Sequence, residues 1–300
     1  MHIPDGFLAT PVWAALDVAA APAAGYLARR AQRGFDEARV PLLGVMGAFV
    51  FAAQMINFPV GVGTSGHLVG GALLACALGP AAAGVTMCAI LAIQALVFQD
   101  GGVLALGANI VNMAILGVFA GYLPFQLWGG GRWRRFAIFA AGTLSVLVSA
   151  LAALAELLIS GVKMPSAVLG MSLALFLVSA LLEGAITLAV IEALEAIQPG
   201  FIGKPAAGRP FALRAAGLAA VLLAAVGVWF ASTAPDGVQK LAERSGISQA
   251  AALFSTPLAG YQVAFAGSPW LRKAIAGLAG VALIYGVCLL IGRAARTRSV

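Results

Sequence analysis

Long apolar runs, broken by Gly, Pro and clustered charge, set the pattern of this chain. Nine stand out, at roughly 11–29, 40–57, 67–79, 80–98, 103–127, 136–160, 165–195, 211–231 and 272–292. A helix needs about 20 mostly apolar residues to cross a bilayer, so most of these runs predict membrane-spanning helices. The third is too short to cross comfortably, and Pro80 divides it from the fourth. It predicts a short or tilted helix, or one arm of a broken hairpin. The expected fold is all-α, a polytopic helical membrane protein of about nine spans.

Composition removes the soluble alternative. Of 300 residues, 62% are hydrophobic and only 10% charged, against about 25% charged in soluble domains. Mean hydropathy is +1.00. The net charge of +7 does not point to nucleic acid, because the basic residues sit in short clusters between apolar runs, where they signal topology. With the N-terminus outside, the outer segments hold only Lys163, Lys240, Arg244, Arg272 and Lys273, leaving thirteen of the 18 Lys and Arg inside. An outside N-terminus and inside C-terminus follow, in a cell inner membrane with lipid as the surroundings. The start MHIPDGFLATP lacks a basic leader region, so the mature chain is expected to begin at or near Met1.

A Pro- and Gly-rich basic stretch at 197–210 reads as a linker. It separates a seven-span component, residues 1–200, from a two-span module, residues 201–300, with a polar outer segment near 232–271.

Several motifs fail their context. GVGTSG (61–66) matches a dinucleotide-binding fingerprint in letters, but no βαβ unit surrounds it. GFIGKP (200–205) has the wrong spacing for a phosphate-binding loop, and Pro205 stands where Ser or Thr must hold magnesium. If ATP powers this protein, another subunit must supply it. A Ser65–His67–Asp100 hydrolase triad lacks any nucleophile elbow. Cys76, Cys88 and Cys288 lie inside apolar runs without CxxC spacing and read as small core residues.

The two histidines carry the chemistry. His2 is the second residue, and the glycine-rich turn after the second span delivers His67 to the same outer face. An amino-terminal X-His dipeptide can chelate through the terminal amine, the His2 amide nitrogen and its Nδ1, closing a five- and a six-membered ring. Deprotonating that amide calls for Ni(II), Cu(II) or sometimes Co(II), which accept tetragonal nitrogen fields. Three nitrogens leave one corner open, and His67 is the only other imidazole in the chain. The metal ligands are therefore expected to be Met1, His2 and His67. Asn57, Ser65, Gln99 and Asp100 are candidates to hold the histidines and the N-terminal loop in place, with Asn109 and Asn112 nearby. Asp17, Glu156 and Glu183 fall within spans, where they either line a metal route or pair inside the bundle. The stripe Ala20, Ala24, Ala28 permits close helix approach, either to a coupling subunit or within the bundle. Glu192 and Glu195, at the inner end of the seventh span, are expected to be solvated.

MHIPDGFL at the start, INFPVGVGTSGHLVGGAL at 56–73 and FQDGGVLALGANIVNMAI at 98–115 resemble the NikM/CbiM family. The resemblance covers the first ~200 residues and implies the substrate-binding component of an energy-coupling-factor transporter for nickel or cobalt. It implies metal bound through the Met1 amine, the His2 amide and imidazole, and His67. It further implies a transmembrane coupling (T) subunit and two ATPase subunits as partners, with Ni(II) or Co(II) as the cargo. The tail, with TAPDGVQKLAERSG (233–246) and AGSPWLRKAIAGLAGVALIYG (266–286), resembles the companion NikN/CbiN module. It departs from that module's PDGLE motif at Val238 and Gln239, and its implied role is assistance in loading or coupling. The rival classes are a self-contained metal channel or secondary transporter, and an intramembrane hydrolase.

Overall fold

The computed structural model describes residues 1–33, 39–61, 63–202 and 211–296. The linker at 197–210 lies mostly outside this set, as do Lys204, Arg209 and Arg298. Ten helices of eight or more residues and one hairpin appear among the described residues. They are α1 (Thr10–Arg33), α2 (Val40–Gln54), β1 (Phe58–Gly61), β2 (Thr64–Gly66) and α3 (Gly71–Leu78). There follow α4 (Pro80–Phe98), α5 (Leu106–Trp128), α6 (Arg134–Ile159), α7 (Ser166–Ile197), α8 (Phe211–Trp229), α9 (Gly237–Arg244) and α10 (Pro269–Arg296). Helices dominate because, in hydrocarbon, main-chain polar groups must be satisfied within the segment that carries them.

Among the described residues six helices, α4 to α8 and α10, are long and apolar enough to cross a membrane. The protein is a multi-pass membrane protein. The remaining apolar runs fall short for identifiable reasons. Asp17, Pro11 and Pro22 dilute α1, and α2 has only 15 residues. The run at 67–79 yields a helix of only 8 residues, about 12 Å long, against a hydrocarbon core of about 30 Å. Ahead of it, residues 67–70 are non-helical. Gly70 has φ +77°, and a Cβ there would lie 2.5 Å from Val50 Cγ1, so only glycine allows this turn into α3. Non-helical backbone beside so short a helix is tolerated because protein covers it: every residue of α3 is buried.

The ends of α1 and α3 and the starts of α2 and α4 meet at one cavity, lined by Arg30, Arg39, Leu78 and Pro80. The hairpin β1–β2 and the loop at 99–105 sit at the opposite end. Small residues set the helix spacing. A Cβ on Gly142 of α6 would lie 2.8 Å from the Gly184 Cα of α7. On α8 the buried stripe is Ala212, Ala216, Ala220 and Ala224. On α2, Gly44 and Gly47 abut Tyr285 and Cys288 of α10, so the C-terminal helices pack directly on the N-terminal bundle. Ala20 is buried and Ala24 and Ala28 half-buried, which turns that stripe towards the bundle interior. Leu173, Leu177 and Leu181 of α7 face outward, the surface expected against lipid.

Candidate metal centre

The first five residues are buried, an unusual place for a chain terminus. Asp5 draws them in: its carboxylate accepts from the N–H groups of Val103 (3.0 Å), Leu104 (2.8 Å) and Ala105 (3.2 Å), at the start of α5. A carboxylate there satisfies donors that the helix itself cannot. Ile3 is held on both sides. Its N–H donates to Asn109 Oδ1 (2.8 Å), and its carbonyl accepts from Asn109 Nδ2 (3.1 Å) and from the Gly102 N–H (2.8 Å). Gly102 allows the approach, since a Cβ there would lie 2.6 Å from the Asp5 nitrogen. No acceptor faces the His2 N–H among the described residues.

A chain of side-chain amides fixes the imidazole protons. It starts from an unambiguous acceptor, the Val69 carbonyl, which accepts from Gln54 Nε2 (2.7 Å). Gln54 Oε1 must then face Gln94, whose Nε2 donates to it (2.7 Å). Gln94 Oε1 in turn faces His2 Nε2 (3.1 Å). His2 Nε2 therefore carries the hydrogen and its Nδ1 the lone pair, an assignment made from the hydrogen-bond network. His67 Nδ1 donates to the Leu68 carbonyl (2.9 Å), which leaves the lone pair on His67 Nε2. The two nitrogens left bare are the two that the chelate requires.

His67 Nε2 lies 2.6 Å from the Met1 amine nitrogen. Nitrogen donors about 2.0 Å from a first-row ion stand about 2.8 Å apart in adjacent corners of a square, close to that separation. The His2 and His67 rings stack with centroids 5.3 Å apart and planes 15° from parallel. Met1, His2 and His67 expose 8%, 4% and 8% of their surface, so an ion between them would be shielded from water.

Two carboxylates flank the nitrogens. Asp236 Oδ2 accepts from the Met1 amine at 2.7 Å, and Asp100 Oδ1 lies 3.4 Å from His2 Nδ1. Burial pushes both carboxyls up, but the positive amino terminus and nearby donors outweigh it. The amino terminus and the Gln239 N–H hold Asp236 down at about 2. The Tyr261 hydroxyl, which donates at 2.6 Å, and the amino terminus hold Asp100 below the usual carboxylate range. Burial first, and then the adjacent amino terminus, push His2 below the ordinary histidine range, although Asp100 opposes this. A neutral imidazole is the form that binds metal.

Of the sequence-predicted residues, Met1, His2, His67 and Asp100 come together here. Ser65 donates instead to the Ala234 carbonyl (2.7 Å). It forms no link to His67, so the imagined hydrolase triad has no activated nucleophile. Gln99, at φ +54°, turns its amide to the Phe254 carbonyl, and the Asn57 carbonyl accepts from the Ser232 N–H (2.7 Å). Asn109 holds Ile3, while Asn112 donates to Glu156 (2.8 Å). The other two charges in the spans serve the main chain. Asp17 accepts from Gly107 (2.6 Å), and Glu183 from Val69 (2.8 Å) and Gly70 (2.7 Å), just beyond His67. Glu192 and Glu195 are not simply solvated: they pair with Arg135 and Arg134. The sequence reading missed Gln54, Gln94, Asp236 and Tyr261. Amides inside apolar runs were the available signal for the first two, since an unpaired amide is costly there. No group of three or more His, Cys, Asp or Glu side chains is placed to hold an ion among the described residues.

A multi-pass membrane protein whose apolar helices close at one end over a buried amine and two bare imidazole nitrogens is the class of protein that fold and site define. Residues 2–201 match the CbiM family model, described as the cobalt uptake substrate-specific transmembrane region. The chain belongs to this family, and its residues 211–297 match the PDGLE domain. The fused nickel transport protein NikMN of Rhodobacter capsulatus is 30% identical over 345 residues, 99% of either chain. A relative named for the same NikMN fusion in Archaeoglobus fulgidus is 35% identical over 307 residues, 99% of this chain and 100% of its own. A crystal structure of a truncated transition metal transporter is 33% identical. It superposes with a TM-score of 0.58 over 65% of this chain and 99% of that one.

Proposed function

We propose that this chain is the membrane subunit that captures Ni(II) or Co(II) at the outer face for ATP-driven uptake by an energy-coupling-factor transporter. The ligands are the Met1 amine, the His2 amide nitrogen and Nδ1, and His67 Nε2. The observation that carries this reading is the amide chain from Val69 through Gln54 and Gln94 to His2, which leaves Nδ1 bare beside the amine and His67. The reading requires a free amine on Met1. Mg(II) and Ca(II), which require oxygen ligands, are excluded by the donor set.

Residues 1–200 form the capture component and residues 201–300 an appended module. The chain crosses an inner membrane nine times from an outside N-terminus. The third crossing is residues 67–78, a non-helical stretch leading into the short helix α3. A transmembrane T subunit docks alongside, and two ATPase subunits hydrolyse the ATP; this chain catalyses no bond chemistry. The test is uptake into proteoliposomes. Metal accumulation is expected only with the T and ATPase subunits and ATP. Accumulation by this chain alone would establish the channel or secondary-transporter reading instead.

Binding through amine and amide also displaces protons. The ammonium that donates to Asp236 gives up one and the His2 amide a second, whereas the His2 imidazole, already neutral, gives none. Two protons are expected per ion near neutral pH, so affinity rises with pH. Titration calorimetry in buffers of different ionisation enthalpy counts them, and a count of one or fewer would exclude amide ligation.

A further inference from the structure

Asp236 divides its two carboxylate oxygens between two tasks. Oδ1 caps its own helix α9, accepting from the N–H groups of Val238 and Gln239, both at 2.9 Å. Oδ2 has no part in the cap and accepts from the Met1 amine, 235 residues away in sequence. The carboxylate cannot drift relative to the metal ligands. Ser65, two residues before His67, donates its N–H to the Pro235 carbonyl (2.9 Å) and its hydroxyl to the Ala234 carbonyl (2.7 Å). The C-terminal module thus ties the segment bearing His67 and the amine bearing the first ligand to one short stretch, residues 234–236.

A metal-bound amine keeps two N–H bonds, and one of them can remain on Oδ2. An acceptor on a ligand's remaining N–H fixes its orientation and raises its basicity, as outer partners of metal-bound histidines do.

We infer that Asp236 is a positioning residue for the metal site, supplied by the C-terminal module, which aims the Met1 amine at the ion by accepting from its N–H. The inference rests on the capture reading above and adds to it a defined role for the appended module.

Asp236→Asn separates the two tasks. Asparagine caps a helix as well as aspartate, so α9 itself persists, but the atom facing the amine changes from acceptor to donor. In the untagged full chain, Ni(II) affinity measured by chelator competition is expected to fall about 10–100-fold, the usual effect of removing an outer partner. The ligand-field band is expected to move to longer wavelength as the amine becomes a weaker donor, a shift that mere loosening of α9 would not produce. Asp236→Glu keeps a carboxylate and is expected to recover part of both losses. Should Asp236→Asn fail to fold, Asp236→Glu carries the test alone through an intermediate loss and band shift. A wild-type Kd and spectrum in whichever folded variant is tested would overturn the inference. Its failure is distinguishable from failure of the capture reading: there, wild type itself binds no stoichiometric ion, or His67→Ala binds as well as wild type.

Discussion

His67→Ala is expected to abolish stoichiometric Ni(II) binding while leaving the bundle folded. The chain has only two histidines, and His67 is the one whose Nε2 stands beside the amine. Without it the remaining donors, one amine, one amide and one imidazole, leave a corner that no other imidazole can fill. Losing a ligand outright should cost more than the about 10–100-fold typical of an outer partner. The fold should survive because His67 donates only to its neighbour's carbonyl, while Glu183 continues to hold Val69 and Gly70. His2→Ala is expected to match it, since Nδ1 closes the six-membered ring. Cys88→Ala, altering a half-buried thiol in α4, should bind as wild type. Elemental analysis after size-exclusion chromatography reads all three.

A short Gly-Ser-Gly extension ahead of Met1 is expected to do comparable damage by a different route. It converts the amine into an amide, which removes a neutral donor and lengthens the chain where Met1 is already buried against His67 and Asp236. Asp236 then loses its cationic partner in a buried setting, and breaking such a pair costs about 3–5 kcal/mol. Both metal content and thermal stability should fall, whereas an extension at the C-terminus should change neither. Loss of metal with unchanged stability would mean that the amine–Asp236 pair contributes nothing to holding the outer segment down.

Much of this arrangement is legible in the chain itself. The long runs that form α4 to α8 and α10 are apolar over enough residues to cross a bilayer, and length alone identifies them. The meeting of His2 and His67 follows from one inference about sidedness and one glycine-rich turn. What escapes depends on direction or distance. Gln99 and Ser65 sit within two residues of Asp100 and His67, yet a positive φ turns one away and the pairing with Ala234 occupies the other. Proximity in sequence says nothing about where a side chain points. Asp236 and Tyr261 reach the site across more than 160 residues from a separate module, a pairing that no local pattern encodes. The short α3 is the opposite case. Gly70, Gly71, Gly79 and Pro80 bound it visibly, but only burial of its whole surface explains how a helix of 8 residues survives there.

The spin state of the bound ion offers the sharpest single measurement. On untagged protein whose intact mass shows a free Met1, four nitrogens in a square should give one Ni(II) per chain, yellow and diamagnetic. A green, paramagnetic ion in six-fold coordination would mean that oxygen ligands hold it and that the amino terminus is not its chelator.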